Sequence, residues 1–500
     1  MTEVQTVKSS TISFFDLPIE IIEQILPEIE HHRDLINFAC TSQLSSQLVI
    51  PHHTEYRILR LGTSSSAHIW THLARRPDLA CNIREIDIEL HAARPPREPS
   101  ALIEDVDFEE RTWEVREDEI ARALGYMRRL KSFAWEHRSL SPTFPGPNER
   151  HFAPVVLDTL QKIGTVEHLY LDMDHWFKFN EPIEECGLWR MSQLHSLALR
   201  GTYEAEDWPS RSTRNAMVLV NWLNSLTSLE VLRLPWGMFE EHQTLLFFPK
   251  LRYLNIQYTE STAVVLDFLE RHPTLQDLTW YSNWNFPAPS QLPSNFLPEL
   301  RRFEGRYDFF EVLASRTEIN GDLIPIRKFE SLILHWMDED DYFDKLCACP
   351  GIDHQALRIL SLANDYWNIH ELAVAFPMIE ELYLPPGPVF DFESFLSGIE
   401  QFKHLKILYR SLVWTDLAIE TGGVPADLQD PELQSIVNER IQALARRCPS
   451  LTQIGHPKAT DWYIEIYREE SGQISSRNEF VFQRPLCSRF EMDSYWLWDP

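Results

Sequence analysis

The stretch Leu229-Glu230-Val231-Leu232-Arg233-Leu234 decides the fold of this chain. Its first, fourth and sixth positions are apolar and the others are variable. The same pattern recurs at 194–199 and 251–256, and looser copies begin at Ile83, Leu130, Val166, Leu275, Leu300, Phe329, Leu357, Ile379, Leu405 and Leu451. Apolar residues at alternate positions predict a strand with one buried face. One such strand cannot bury that face alone, whereas a stack of strands can.

The spacing of the copies is that of a repeat protein. From Leu229 to Leu405 successive copies begin 22 to 29 residues apart, and the chain therefore resembles leucine-rich-repeat proteins. Helical segments that stop at Pro273 and Pro449 precede two of the copies. We expect an α/β fold, an irregular leucine-rich-repeat solenoid or horseshoe, with parallel strands on its inner wall and helices outside. The Asn that usually follows the strand in this family is mostly absent.

A different pattern occupies the N-terminus. Pro18 suits the first turn of a helix, and apolar residues follow it at helical spacing. Asp34 is the expected N-cap of a second helix, and a third apolar segment ends before Pro51. Three short helices with a Leu-Pro start resemble an F-box, and the matching residues are Leu17, Pro18, Glu20, Ile22, Ile25, Leu26, Ile29, Asp34, Leu35, Phe38, Ala39, Thr41 and Ser42.

The F-box resemblance implies an adaptor-binding face. Its candidate residues are Leu17, Pro18, Ile21, Ile22, Ile25, Leu35 and Phe38, some of which must instead pack the small domain internally. The Trp often found in the third F-box helix is missing, so Leu44 or Leu48 has to fill its space. The alternative interpretation is a small helical cap that closes the open end of the solenoid.

An F-box followed by degenerate leucine-rich repeats is similar to fungal substrate receptors of Skp–cullin–F-box ubiquitin ligases. The resemblance implies a non-catalytic subunit without cofactors, in which the F-box binds a Skp-family adaptor, and through it cullin, while the horseshoe binds a target protein. A protein-interaction scaffold not linked to ubiquitin is the alternative. An enzyme hidden in the insertions between repeats is a third reading, for which the sequence offers no catalytic residue.

The variable positions of the strands are the candidates for binding the target. They point away from the core, and Tyr and Arg are enriched at binding hot spots. The candidates are Tyr170, Arg200, Arg233, Tyr253, Tyr281, Arg302, Arg306 and Tyr383. The arginines either receive an acidic or phosphorylated segment or balance carboxylates on neighbouring strands. The sequence leaves both interpretations open.

Composition narrows the possible partners. The net charge of −29 opposes binding to nucleic acid. The seven scattered cysteines, and the lack of a run of 18 apolar residues, favour a cytoplasmic or nuclear monomer without a membrane span. Two clusters are weak metal candidates, because Cys347, Cys349 and His354 lack zinc spacing and 338–341 lacks the EF-hand pattern.

These patterns divide the chain into four parts. We expect a disordered segment at 1–12, an F-box-like helical domain at 13–55, the solenoid at 56–455 and a C-terminal cap at 456–500 that contains a β-hairpin. Four insertions interrupt the repeats at 91–113, 138–150, 201–214 and 421–431, and their composition predicts loops.

Overall fold

The computed structural model describes the chain in segments, and the structural statements below concern these residues. They are 14, 17–18, 21–22, 25–26, 29, 32–50, 57–61, 68–90, 113–137, 154–172, 186–200, 213–234, 245–259, 262–282, 292–293, 296–314, 318–319, 322–323, 328–335, 342–349, 351–362, 368–384, 392–409, 431–455, 462–469 and 473–480. The predicted disordered segment and nearly all of the four insertions lie outside the described residues.

The chain divides into two compact units, each built from strands that alternate with helices. The first unit comprises 1–170 and 185–191, and the second comprises 171–184 and 192–500. The mixed α/β architecture with a long run of neighbouring strands is compatible with the predicted repeats. The N-terminal helices belong to the same unit as the first strands.

The first unit contains short helices and the first strands. Its helices are α1 (His32–Ala39), α2 (Gln43–Val49), α3 (His68–Arg75), α4 (Pro77–Ala80), α5 (Trp113–Leu124) and α6 (Pro154–Ile163), and a 3₁₀ turn spans Gly187–Arg190. Its strands are β1 (Ile58–Leu61), β2 (Glu85–Leu90), β3 (Ser132–His137) and β4 (His168–Asp172), of which β4 runs across the division at residue 170. β1, β2 and β3 pair in parallel. Pro77 begins α4 rather than only ending α3, because the first position of a helix needs no N–H donor.

In the second unit each copy of the repeat pattern forms one parallel strand, and two antiparallel hairpins add the remaining strands. The strands are β5 (Ser196–Arg200), β6 (Val231–Leu234), β7 (Tyr253–Thr259), β8 (Asp277–Ser282), β9 (Arg302–Arg306), β10 (Glu318–Ile319), β11 (Asp322–Leu323), β12 (Ser331–His335), β13 (Ile359–Leu362), β14 (Glu381–Tyr383), β15 (Ile407–Tyr409), β16 (Gln453–Gly455), β17 (Trp462–Arg468) and β18 (Ile474–Phe480). β5 to β9 and β12 to β16 lie side by side in chain order, and all these pairs are parallel.

Two short hairpins complete the sheet structure of the second unit. β10 and β11 pair antiparallel, apart from the main run of strands. At the end of the run, β16 pairs antiparallel with β17, and β17 with β18. The predicted C-terminal hairpin is therefore present, and it follows the last parallel strand.

The helices of the second unit precede the strands, as the Pro-terminated segments predict. They are α7 (Thr213–Ser225), α8 (Thr262–Glu270), α9 (Tyr307–Ala314), α10 (Tyr342–Cys347), α11 (Ile369–Ala375), α12 (Phe392–Ile399) and α13 (Pro431–Arg447). The first, fourth and sixth residues of the repeat pattern are buried in register, as at Leu229, Leu232 and Leu234. Burying three such side chains in every repeat contributes ~1.5–3 kcal/mol apiece to stability.

The residue before each strand forms a second regularity, which we call the ladder position. Its backbone N–H donates to the carbonyl of the previous ladder residue, as Arg358 does to Glu330 (2.9 Å) and Glu380 to Arg358 (2.7 Å). From β9 to β15 the ladder residues are Arg301, Glu330, Arg358, Glu380 and Lys406, so their charges alternate in sign. Arg301 pairs with Glu330 (3.4 Å), and Glu380 pairs with both Arg358 (3.7 Å) and Lys406. These exposed pairs add small increments of stability and match neighbouring strands in charge.

Candidate partner-binding surfaces

The N-terminal helical segment packs around a small apolar core. Buried residues of that core are Ile22, Leu26, Leu35, Ala39 and Val49, and the half-buried Phe14, Leu17, Ile29, Phe38 and Leu48 pack against it. The rings of Phe14 and Phe38 meet edge to face at 5.2 Å. Ile22 and Leu35 are therefore core residues, and we correct their assignment to the adaptor face. Their burial stabilises the fold of the segment instead.

The opposite side of the segment exposes apolar residues. The Ile22 N–H donates to the Pro18 carbonyl (3.2 Å), which gives a helical turn there. Pro18, Ile21 and Ile25 follow one another at helical spacing, so they share one side of that helix. Pro18 is exposed, and Ile21 and Ile25 are 41% and 38% exposed. Three of the seven predicted adaptor-face residues are thus exposed. Leu17 and Phe38 are half-buried and therefore less accessible to a partner.

Helix α2 and its C-cap residue expose two further apolar residues, which are not among the predicted adaptor-face residues. Ser42 caps the helix, its hydroxyl accepting a hydrogen bond from the Ser45 N–H (3.0 Å). Leu48 packs on the core, whereas Leu44 and Ile50 are each 48% exposed. We call Pro18, Ile21, Ile25, Leu44 and Ile50 the N-terminal apolar residues. Five exposed apolar residues within 33 positions make this segment the candidate interaction site.

Arg57 fastens this helical segment to the first strand. Its guanidinium donates to the Leu26 carbonyl (2.9 Å) and to the Ile29 carbonyl (2.5 Å), and the side chain is buried. Carbonyl groups at the end of a helix need such donors. Burial, aided by the charges of Arg84 and Arg129, lowers the pKa of Arg57 to about 10. The guanidinium stays charged at neutral pH and holds the exposed residues at a fixed position relative to β1.

The strand face that points away from the core is less accessible than the sequence suggests. Register places one residue from each strand in a row, and its members from β5 to β9 are Ala198, Arg233, Asn255, Thr279 and Glu304. All five are buried, Arg233 being 2% exposed. Tyr170 of the first unit is likewise 1% exposed. Neither Arg233 nor Tyr170 is available for binding a target, which corrects that prediction.

A buried hydrogen-bonded group joins two members of this row, Thr279 and Glu304, to His335, which pairs in register with Arg306. The hydroxyl of Thr279 donates to Glu304 Oε2 (3.3 Å), and His335 Nε2 lies 3.1 Å from Glu304 Oε1. Sequence reasoning missed these three residues because each is unremarkable alone. Only the strand register, together with the burial of the row, brings them together.

The remaining inner-wall candidates are half-buried, and the arginines have acidic neighbours. Arg302 lies 3.8 Å from Asp277 on the adjacent strand, and Arg306 forms a bidentate pair with Asp308. This geometry favours the interpretation in which arginines balance carboxylates. Tyr383 stacks on Tyr409, with ring centroids 4.1 Å apart and planes 9° apart, and Tyr253 is also half-buried. The side chains of Arg200 and Tyr281 lie outside the described residues.

Of the two weak metal candidates, the structure describes the group Cys347, Cys349 and His354. His354 lies with Nε2 3.0 Å from the Cys349 carbonyl and Nδ1 3.2 Å from the Ala375 carbonyl, so both ring nitrogens face the backbone. Burial raises the pKa of the Cys347 thiol to about 12. Within the part of the chain that the structure describes, no three His, Cys, Asp or Glu side chains cluster as metal ligands, and no helix is long and apolar enough to cross a bilayer. Residues 338–341 lie outside the described residues.

His272 is a buried histidine of the second unit with a defined tautomer. Its Nε2 accepts from the Phe248 N–H (3.0 Å), so Nδ1 carries the proton and donates to the Phe268 carbonyl (2.7 Å). The ring also stacks on Phe268 at 4.1 Å. Burial lowers the pKa of His272 to about 4. A protonated ring would lose the acceptor that the Phe248 N–H needs.

We predict that His272 makes stability depend on pH. Between about pH 4 and pH 6.5 the unfolded state binds the proton that the folded state excludes, so the stabilisation is complete above pH 6.5 and is lost as the pH falls towards 4. Between pH 7 and pH 5 the free energy of unfolding should fall by about 2 kcal/mol more in the wild type than in His272→Gln. Urea unfolding at both pH values measures the difference. Equal pH dependence in the two proteins would contradict the assignment.

Comparisons with known proteins give no family assignment. No protein-family model matches the chain, and no curated protein matches it. Among solved structures, the chain is similar to one described as the crystal structure of the Rad7 and Elc1 complex in yeast. The identity is 14%, the likeness covers 87% of each chain, and the TM-score is 0.26. A TM-score this low assigns neither a family nor a function to the chain.

Proposed function

We propose that the chain is a substrate-receptor subunit of a Skp–cullin–F-box ubiquitin ligase. One observation carries the proposal: the N-terminal helices pack around an apolar core and leave Pro18, Ile21, Ile25, Leu44 and Ile50 exposed. An apolar surface held rigidly by Arg57 suits a helical adaptor of the Skp family, which would link the chain to cullin. The F-box resemblance of 13–55 supports the same partner.

The proposed mechanism needs no catalytic residue in this chain. The adaptor would bind the N-terminal apolar residues, and the strands and helices of the repeats would hold a target protein. A ligase subunit of this kind raises the rate of ubiquitin transfer by proximity and orientation. Target contacts would come from half-buried residues such as Tyr253, Tyr383 and Tyr409 rather than from the buried Arg233 and Tyr170. We place this activity in the cytoplasm or nucleus.

A protein-interaction scaffold without a link to ubiquitin is the second candidate. The observation that favours it is the absence of the usual Trp from the third helix, where Leu48 packs on the core and Leu44 is exposed. In that case the N-terminal helices would only cap the repeats. The two candidates differ in whether the N-terminal apolar residues bind an adaptor.

Co-expression of the full chain with a fungal Skp-family adaptor tests the proposed function. We expect the two proteins to elute as one complex in size-exclusion chromatography and the complex to recruit the N-terminal domain of cullin. The matched control is the same adaptor co-expressed with an F-box protein known to bind it. Separate elution of the chain and the adaptor, with the control complex intact, would reject the ligase and leave the scaffold.

A further inference from the structure

The ladder position of the first unit differs in charge from that of the second. Its residues are Arg57, Arg84, Lys131 and Glu167. Each of the last three donates its backbone N–H to the carbonyl of the preceding ladder residue, as Arg84 does to Arg57 (2.9 Å) and Lys131 to Arg84 (2.8 Å). Three basic residues therefore follow one another at the spacing of neighbouring strands, ~4.8 Å. Adjacent like charges are unfavourable across strands. The ladder residues from β9 to β15 alternate in sign of charge, whereas three consecutive ladder residues of the first unit are positively charged.

Further basic residues enlarge this accumulation. Arg129 is exposed in the turn just before Lys131, and its charge, like that of Arg84, reaches the buried Arg57. The Lys131 side chain is 45% exposed and pairs with Glu167, the one acid of this ladder. Since the whole chain carries a net charge of −29, a basic cluster on its surface is unexpected from composition. We call Arg84, Arg129 and Lys131 the basic cluster.

The basic cluster adjoins the proposed adaptor surface through Arg57. The Arg57 carbonyl accepts from the Arg84 N–H, while its guanidinium binds the carbonyls of Leu26 and Ile29. Those carbonyls end the helical segment that exposes Ile21 and Ile25. Ile21, Ile25, Arg84 and Arg129 thus belong to the same compact unit, and Arg57 is the residue that connects the helical segment to the basic cluster.

We infer that Arg84, Arg129 and Lys131 bind an acidic segment of the same adaptor that covers the N-terminal apolar residues. The inference rests on the proposed function and adds the charge of the partner to it. Asp and Glu side chains of the adaptor would pair with these three basic side chains at the edge of the apolar contact between the adaptor and the N-terminal apolar residues. Rim charges of this kind steer association and set partner choice more than they add affinity.

Charge reversal at an exposed member of the cluster tests the inference. Arg129→Glu should slow association of the full chain with the adaptor by about fivefold in a low-salt buffer, and the deficit should shrink as salt screens the charges. Arg446→Glu, which makes the same change of charge at an exposed position of α13, should associate at the wild-type rate. Stopped-flow or surface-based kinetics over a salt series measure both.

A milder variant guards against misfolding. Arg84→Gln removes one charge without adding an acid, and it should lower the association rate by about twofold with the same salt dependence. If the wild type binds the adaptor but Arg129→Glu and Arg84→Gln associate as the wild type does, the inference is wrong and the proposed function stands. If the wild type does not bind the adaptor, both are wrong.

Discussion

Replacing both Ile21 and Ile25 by Asp should abolish adaptor binding while the chain remains folded. The two side chains are about 40% exposed in the free protein, so carboxylates there stay in water and cost the fold little. Bound to the adaptor, the same positions would be buried. Binding would bury only the exposed ~40% of each isoleucine, which contributes roughly 0.6–1.2 kcal/mol per residue. Desolvating two carboxylates costs more than that, and the two effects together correspond to more than a hundredfold loss of affinity.

Calorimetric titration of the full-length variant with the adaptor measures this loss. Val374→Asp is the matched control, because Val374 is exposed on α11 of the second unit and lies far from the N-terminus in sequence. The control should bind as the wild type does. Undiminished binding by Ile21→Asp/Ile25→Asp would place the adaptor elsewhere. Leu17 is a poorer choice for this experiment because it packs against the helical core.

Arg57→Met should detach the N-terminal helices from the first strand. Methionine keeps an apolar stem of similar length but has no donor. The part-buried Ile29 carbonyl loses its bond from Arg57, and the buried Leu26 carbonyl keeps only the bond from the Ile29 N–H (3.3 Å). We expect a loss of about 2–4 kcal/mol in the stability of this segment. Amide hydrogen exchange in α1 and α2 should accelerate accordingly, and adaptor affinity should fall because the exposed residues lose their fixed position.

The control for Arg57→Met is a substitution of an exposed arginine in the same unit. Arg75→Met at the end of α3 removes a charge that has no buried role, and we expect it to change stability by less than about 0.5 kcal/mol. If exchange in α1 and α2 is the same in Arg57→Met as in this control, Arg57 does not anchor the helices.

The repeat pattern predicts the strands well because burial at Leu229, Leu232 and Leu234 is decided locally, by alternation along the chain. The same alternation says only that Arg233 points away from that core. Whether Arg233 is exposed to solvent on that side depends on the residues of the neighbouring strands. The register places Arg233 in a row of buried residues. Alternation along the strand alone therefore predicts a binding role for Arg233 and Tyr170, and their burial contradicts it.

The N-terminal segment shows a similar division between local and tertiary information. Helical spacing finds the apolar positions from Leu17 to Phe38, but Ile21 and Ile22 are neighbours in sequence and have opposite environments. Leu44 and Leu48 are the same residue type, and packing against the helical core decides that Leu48 is half-buried while Leu44 is exposed. The role of Arg57 cannot be read from the sequence, because its partners lie 28 and 31 residues earlier.

Hydrogen–deuterium exchange of the full chain with and without the Skp-family adaptor tests the central claim most directly. The account predicts that the adaptor slows exchange at 17–50 and in the turn before β3, while the strands of the second unit exchange as in the free protein. Protection confined to β5–β16, or no protection at 17–50 under conditions where the complex forms, would contradict it.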